Sequence, residues 1–143
     1  MKHFIFVYGS LKQGMMRNNA LRGQRYIGVA ATTPDYSMFQ LSGYPALIDS
    51  THPEAATLLK EGKSIWGELY EVDSTCINEL DKIEGVDHGM YERKTIALQE
   101  IMTYTLPSCQ EAFNSFFAKK AESYFYKKPI GGAKDCGNFW SHR

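Results

Sequence analysis

The sequence predicts an α+β fold with a barrel-like sheet, on three observations. Short apolar runs with strand-like alternation recur between Gly- and Pro-bearing turns, and only two stretches carry apolar residues at helical spacing. The 143 residues, 43% hydrophobic and 13% aromatic, suffice for one core of ordinary size and not for two. Residues 1–143 therefore read as a single domain.

The elements follow in order. Phe4, Ile5, Phe6 and Val7 form the apolar centre of a strand from His3 to Tyr8, which breaks at Gly9. An irregular or briefly helical stretch runs to Arg22, and strands follow at Tyr26–Thr33, Tyr36–Leu41 and Ala46–Asp49. Thr51–Gly62, with Pro53 and Gly62, reads as a loop holding one helical turn. Strand Ser64–Val72 leads into a helix capped by Asp73 or Ser74, with Ile77, Leu80, Ile83 and Glu84 on one side and Gly85 as its stop. Gly89 breaks the chain before a strand at Tyr91–Leu98 that continues to Tyr104. Residues Leu106–Lys120, with Ala112, Phe113, Phe116 and Phe117, give the second helix, and Glu122–Tyr126 the last strand. Trp140 is expected to pack the tail over the sheet.

Composition excludes several functions. Sixteen basic and 16 acidic residues cancel and are scattered, so the footprint of a nucleic-acid binder is missing. No apolar stretch approaches the roughly 20 residues that cross a bilayer, and the start is too short in apolar residues for a secretory signal. These features predict a cytoplasmic protein without membrane or nucleic-acid partners. Cys76, Cys109 and Cys136 are odd in number and widely spaced, and read as reduced thiols. His3, His52, His88 and His142 show no metal-ligand spacing, so no metal is expected. His88, between Glu84 and Tyr91 in sequence, is open to a place at a pocket mouth.

Two motifs carry chemistry. Tyr8, Gly9, Ser10 and Leu11 follow a buried strand at a sharp break, where amides lose their ladder partners and can face negative charge. Taken alone, such a turn is an ordinary connection. Glu84 shares the apolar side of its helix end, where lost solvation raises a carboxyl pKa and suits the group to proton abstraction near neutral pH. Taken alone, Glu84 is an exposed helix-end carboxylate.

Together with Lys12, Gly14, Asn18 and Asn19, Gly43–Ala46, Ile65–Val72, Leu80, Asp81, Ile83, Gly85, Tyr91, Arg93, Ser123–Tyr126 and Gly137–Trp140, the two motifs span nearly the whole chain. In order and spacing this set resembles the gamma-glutamylcyclotransferase-like family, in particular its bacterial and gamma-glutamylamine cyclotransferase branches. The resemblance implies a small mixed-strand β-barrel with flanking helices, whose first strand ends at the pocket. The segment 106–120 departs from it and reads as a packing or dimer-contact insertion in preference to a lid. Its apolar face suits either a second subunit or its own sheet, so oligomeric state stays open.

The reaction implied is closure of a gamma-glutamyl amide: the α-amine attacks its own γ-carbonyl, forms 5-oxoproline and expels the attached amine. A base must take a proton from an ammonium of reference pKa near 8, the chain must be held folded, and charge grows on the carbonyl oxygen. Glu84 meets the first need and, once protonated, serves as acid to the departing amine. The Gly9–Leu11 amides meet the third, and Tyr8, Tyr91 and Tyr126 offer phenols to orient the amino-acid end. Tyr8, Tyr91 and Tyr126 have a core alternative, most evenly balanced for Tyr126, and Arg93 has an ion-pairing one with an acid on its own strand. No cofactor, metal or covalent intermediate is needed. The other class of function is a non-catalytic small-ligand or interaction protein on the same fold. The leaving-group side of the pocket falls to loops that include Met15–Arg22 and Asp87–Met90, with the segment 106–120 a further candidate, and no local rule reads the leaving amine from them.

Overall fold

The structure is a computed structural model that describes residues 2–59, 61–102 and 121–140. Nine strands and two α-helices lie in these segments: β1 (Lys2–Val7), β2 (Arg25–Thr32), β3 (Ser37–Gln40), β4 (Pro45–Ile48), α1 (Ala55–Leu58), β5 (Trp66–Asp73), α2 (Ser74–Ile83), β6 (Tyr91–Thr95), β7 (Leu98–Met102), β8 (Ala121–Tyr126) and β9 (Lys134–Asp135). Single 3-10 turns occupy Asn18–Leu21 and Val86–His88. Among the described residues, no helix is long and apolar enough to cross a membrane.

The main sheet has the order β6-β8-β1-β5-β2-β7, with β1 and β8 parallel and the other pairs antiparallel. Its centre is β1, whose unbroken apolar run is explained by burial on both faces. Phe6 joins Leu69, Ile96, Ile101 and Phe125 in one cluster, while Ile5 and Val7 join Cys76, Ile77 and Leu80 of α2 in another. A second sheet, β4-β3-β9, packs Phe39, Ala46 and Ile48 around Ile130.

The expected closed barrel is corrected to an open ladder. Its two edge strands, β6 and β7, are nonetheless consecutive, with only Ile96 and Ala97 between them. The three steps from Thr95 to Leu98 reach about 11 Å at full extension. Six flat strands would hold those edges about 24 Å apart. The sheet must therefore curl until its edges nearly meet. At that point the chain changes partners: Ile96 N donates to the Ala121 carbonyl at 3.1 Å, and Thr33 N to the Ala97 carbonyl at 2.9 Å. One segment cannot pair with both edges along its length, so the strand expected at Tyr91–Leu98 ends at Thr95.

Helix α2 starts where its sequence indicates, with the Asp73 carboxylate accepting from Cys76 N at 2.7 Å. Cys76, Ile77 and Leu80 are buried, but Ile83 is 37% exposed, a departure from the face expected for it. The Arg93 guanidinium of β6 fastens the helix by donating to both Asp81 carboxylate oxygens, at 2.9 and 3.2 Å, and to Glu122 at 2.8 Å. Its partners lie on α2 and β8, not on its own strand. Thr51–Gly62 holds α1 as its one helical turn. Strand β9, two residues long, was beyond the reach of sequence periodicity. The predicted helix 106–120, Tyr104 and Cys109 lie outside the described residues. Cys76 and Cys136 are free thiols.

Candidate functional site

A cavity of about 260 Å³ opens where β1 ends, between the last turn of α2 and the start of β4. Tyr8, Gly9, Ser10, Leu11, Glu84 and Tyr91 all line it, although Glu84 is more than seventy residues from the turn. The structure thus brings together every site residue expected from the sequence except Tyr126. That side chain lines a separate recess with Lys94 and His52, and meets the cavity only through the Tyr91 ring, edge-on at 5.2 Å between centroids. Tyr126 and Tyr91 are register partners across β8 and β6. His88 is exposed and does not line the cavity.

The turn after β1 is built by its carbonyls. Gly9 O accepts from Lys12 N at 3.0 Å, Ser10 O from Arg17 N at 2.8 Å and Leu11 O from Asn18 Nδ2 at 2.8 Å. No hydrogen bond among the described residues uses the amides of Gly9, Ser10 or Leu11 as donors. Three successive cavity-lining amides are therefore uncommitted, the composition of an anion nest. The glycine is required for a reason the sequence did not reveal. A Cβ on Gly9 would lie 2.7 and 2.9 Å from the Cγ and Cδ of Pro45, so Gly9 lets β4 approach rather than relieving a strained φ. Behind the turn, buried Lys12 donates to the Trp140 carbonyl at 2.5 Å and lies 3.6 Å over the Phe139 ring. Its burial lowers the ammonium pKa to about 8. Trp140 is buried, as expected, and donates Nε1–H to Gln40 at 2.6 Å.

Glu84 occupies the C-cap of α2, its amide donating to the Leu80 carbonyl at 2.9 Å. Gly85 then turns the chain at φ +67°, a region closed to most side chains. Burial pushes the Glu84 carboxyl up to about pKa 7, with the Arg17 charge working in the opposite direction. A carboxyl poised there can both take and return a proton at neutral pH.

Three tyrosines surround it, and the Glu84 charge acts on each. Burial, followed by neighbouring phenols and acids, raises the Tyr8 and Tyr91 pKa values far above the usual range. Tyr8 donates to the Tyr124 carbonyl at 2.7 Å, Tyr91 to the Pro45 carbonyl at 2.9 Å and Tyr124 to Asp81 at 2.6 Å. Tyr8 and Tyr91 were expected to offer donors to a ligand, whereas here each donates to a backbone carbonyl. Their protons are committed, and what Tyr91 presents to the cavity is oxygen lone pairs.

Sequence reasoning singled out neither Tyr124 nor Pro45 as cavity residues, and reached Arg17 only as part of the loop Met15–Arg22. Tyr124 sits opposite Arg93, one side-chain repeat along β8 from Tyr126, so alternation marked its face but not its depth. Arg17 lies in irregular chain, where no periodicity places a side chain.

Comparison with known proteins shows the family and the fold. Residues 5–138 match the family model described as gamma-glutamyl cyclotransferase, AIG2-like. A putative gamma-glutamylcyclotransferase of Vibrio cholerae is 32% identical over 96 residues, 67% of this chain and 73% of that protein. One from Methanocaldococcus jannaschii is 26% identical over 141 residues, 98% of each chain. The crystal structure of an AIG2-like protein from Mus musculus superposes with a TM-score of 0.62 at 20% identity, covering 89% of this chain and 77% of that one. The chain belongs to the AIG2-like gamma-glutamyl cyclotransferase family.

Proposed function

We propose that the protein converts a gamma-glutamyl amine or gamma-glutamyl amino acid to 5-oxoproline and the free amine, with Glu84 as the general base and acid. The observation that carries the reading is a half-buried carboxyl of pKa about 7 in one cavity with three uncommitted amides. The substrate's α-ammonium would sit between Glu84 and the Tyr91 oxygen, both acceptors. Glu84 takes one proton, the freed amine adds to the γ-carbonyl, and the amides of Gly9–Leu11 receive the charge that forms on oxygen. As the tetrahedral centre collapses, the Glu84 carboxyl returns its proton to the departing nitrogen, and the carboxylate so regenerated relays the second proton from the new ring nitrogen to the freed amine, which leaves as an ammonium. Tyr8 and Tyr124 hold the walls, and Tyr126 acts only by supporting the Tyr91 ring.

The test is incubation of the purified protein with gamma-glutamyl amines and amino acids, including gamma-glutamyl-ε-lysine and glutathione, with 5-oxoproline followed by mass spectrometry. Product is expected from at least one substrate and should fall about 10²- to 10⁴-fold in Glu84→Gln. Product formation that survives the substitution would remove Glu84 from the mechanism, and folded protein that leaves every substrate intact would remove the reaction.

A further inference from the structure

Arg17 is the one cation among the described residues lining the cavity, as Glu84 is the one carboxylate. The two arginines on strands are committed, Arg25 to Glu71 and Arg93 to Asp81 and Glu122. The Arg17 side chain makes no hydrogen bond or ion pair with any described residue, yet its charge reaches Glu84 and Tyr91. Its backbone is not loose: its amide donates to the Ser10 carbonyl at 2.8 Å and its carbonyl accepts from Ala20 N at 3.0 Å. A guanidinium is thereby fixed at its root to the same turn that carries the free amides. Arg17 also lines a small adjoining recess with Met16, Gly43, Tyr44 and Trp140. It is exposed, and Ile83 and Met90, which line the same cavity, bring no charge.

We propose that Arg17 is a specificity residue that pairs with a carboxylate on the departing amine, so that conjugates of apolar α-amino acids are preferred over conjugates of simple amines. This rests on the cyclotransferase reading, which puts the α-amine beside Glu84 in the cavity and leaves the expelled group toward the rim. The glutamyl α-carboxylate, which flanks the attacking amine, shares the three amides of the turn with the γ-carbonyl oxygen. The guanidinium fork at the rim matches a second carboxylate, and the apolar neighbours match a hydrocarbon side chain.

Gamma-glutamyl-leucine and gamma-glutamyl-3-methylbutylamine differ only in that carboxylate. Relative kcat/KM for the pair should favour the leucine conjugate about tenfold in the unaltered protein and approach unity in Arg17→Gln, since any change that reaches Glu84 through the lost charge falls on both compounds alike and cancels in the ratio. The preference should shrink with added salt. Binding of the same pair to Glu84→Gln, with and without Arg17→Gln, is measured by calorimetry. Equal losses for both compounds would place Arg17 on the glutamyl carboxylate and overturn the proposal, as would an unchanged preference or no binding of either. Arg17-dependent binding of the leucine conjugate without turnover in the unaltered protein would sink the reaction and keep the carboxylate site.

Discussion

Glu84 carries opposite obligations to stability and to chemistry. Its carboxyl pKa of about 7 in the folded chain exceeds the reference of 4.5, so the folded state disfavours the ionised form. The stability this contributes is complete below about pH 4.5 and is lost as pH rises through 7, on the order of 3 kcal/mol at alkaline pH. Glu84→Gln should accordingly raise the melting temperature at pH 8 and leave it almost unchanged at pH 4, read by calorimetry at both values. Activity should run the other way, with kcat/KM climbing as the carboxyl ionises near pH 7 and falling when the substrate ammonium titrates near 8. Gly85 sets the neighbouring geometry. A Cβ there would combine φ +67° with a 3.1 Å approach to Met90, so Gly85→Ala should cost about 1–2 kcal/mol in denaturant unfolding and lower turnover through displacement of Glu84. A full loss of activity without a stability change would separate the two effects and contradict this account.

At the scale of elements, α2 is placed by one polar cluster rather than by packing alone. Asp81 accepts from both Arg93 and Tyr124, and Tyr124 in turn accepts from Tyr8, so helix, edge strand and site wall share a chain of hydrogen bonds. Asp81→Ala would leave a half-buried guanidinium with one carboxylate and a buried phenol with none. A loss of about 2 kcal/mol is expected in urea, with a matching fall in turnover because the last turn of α2 holds Glu84. Retained activity at full stability would show that the helix is held by its apolar face. This network also shows where sequence reading stops. Asp73 as cap, Leu80 as core and Gly85 as stop were legible because each obeys a local rule. Arg93 was expected to pair on its own strand, since nothing local says that α2 lies over it. The commitment of Tyr8 and Tyr91 to carbonyls 116 and 46 residues away was equally beyond any local pattern, and so the loss of their protons to the fold was not foreseen.

For the whole molecule, the same division holds. Alternation and turns located the strands of the main sheet, whereas the open ladder depends on which edges meet, a matter decided by Ile96 and Ala97 as they pass from Ala121 to Thr33. Gly9 belongs at this scale as well, because it mediates contact between the two sheets through Pro45. Gly9→Ala should open that contact, costing about 1–3 kcal/mol and weakening substrate binding, checked by thermal unfolding and by KM.

The parallel pairing of β1 with β8 has a temporal consequence. The central strand leaves the ribosome more than a hundred residues before the strand beside it. Until then β1 offers a bare hydrophobic edge, and Ser123, which donates to the Phe6 carbonyl at 2.7 Å, has not been made. Such a contact map folds late and slowly. Nascent chains stalled before Ala121 should remain protease-sensitive at the β1 edge, and protection should appear in one step once β8 has emerged, making the cavity among the last features the chain acquires.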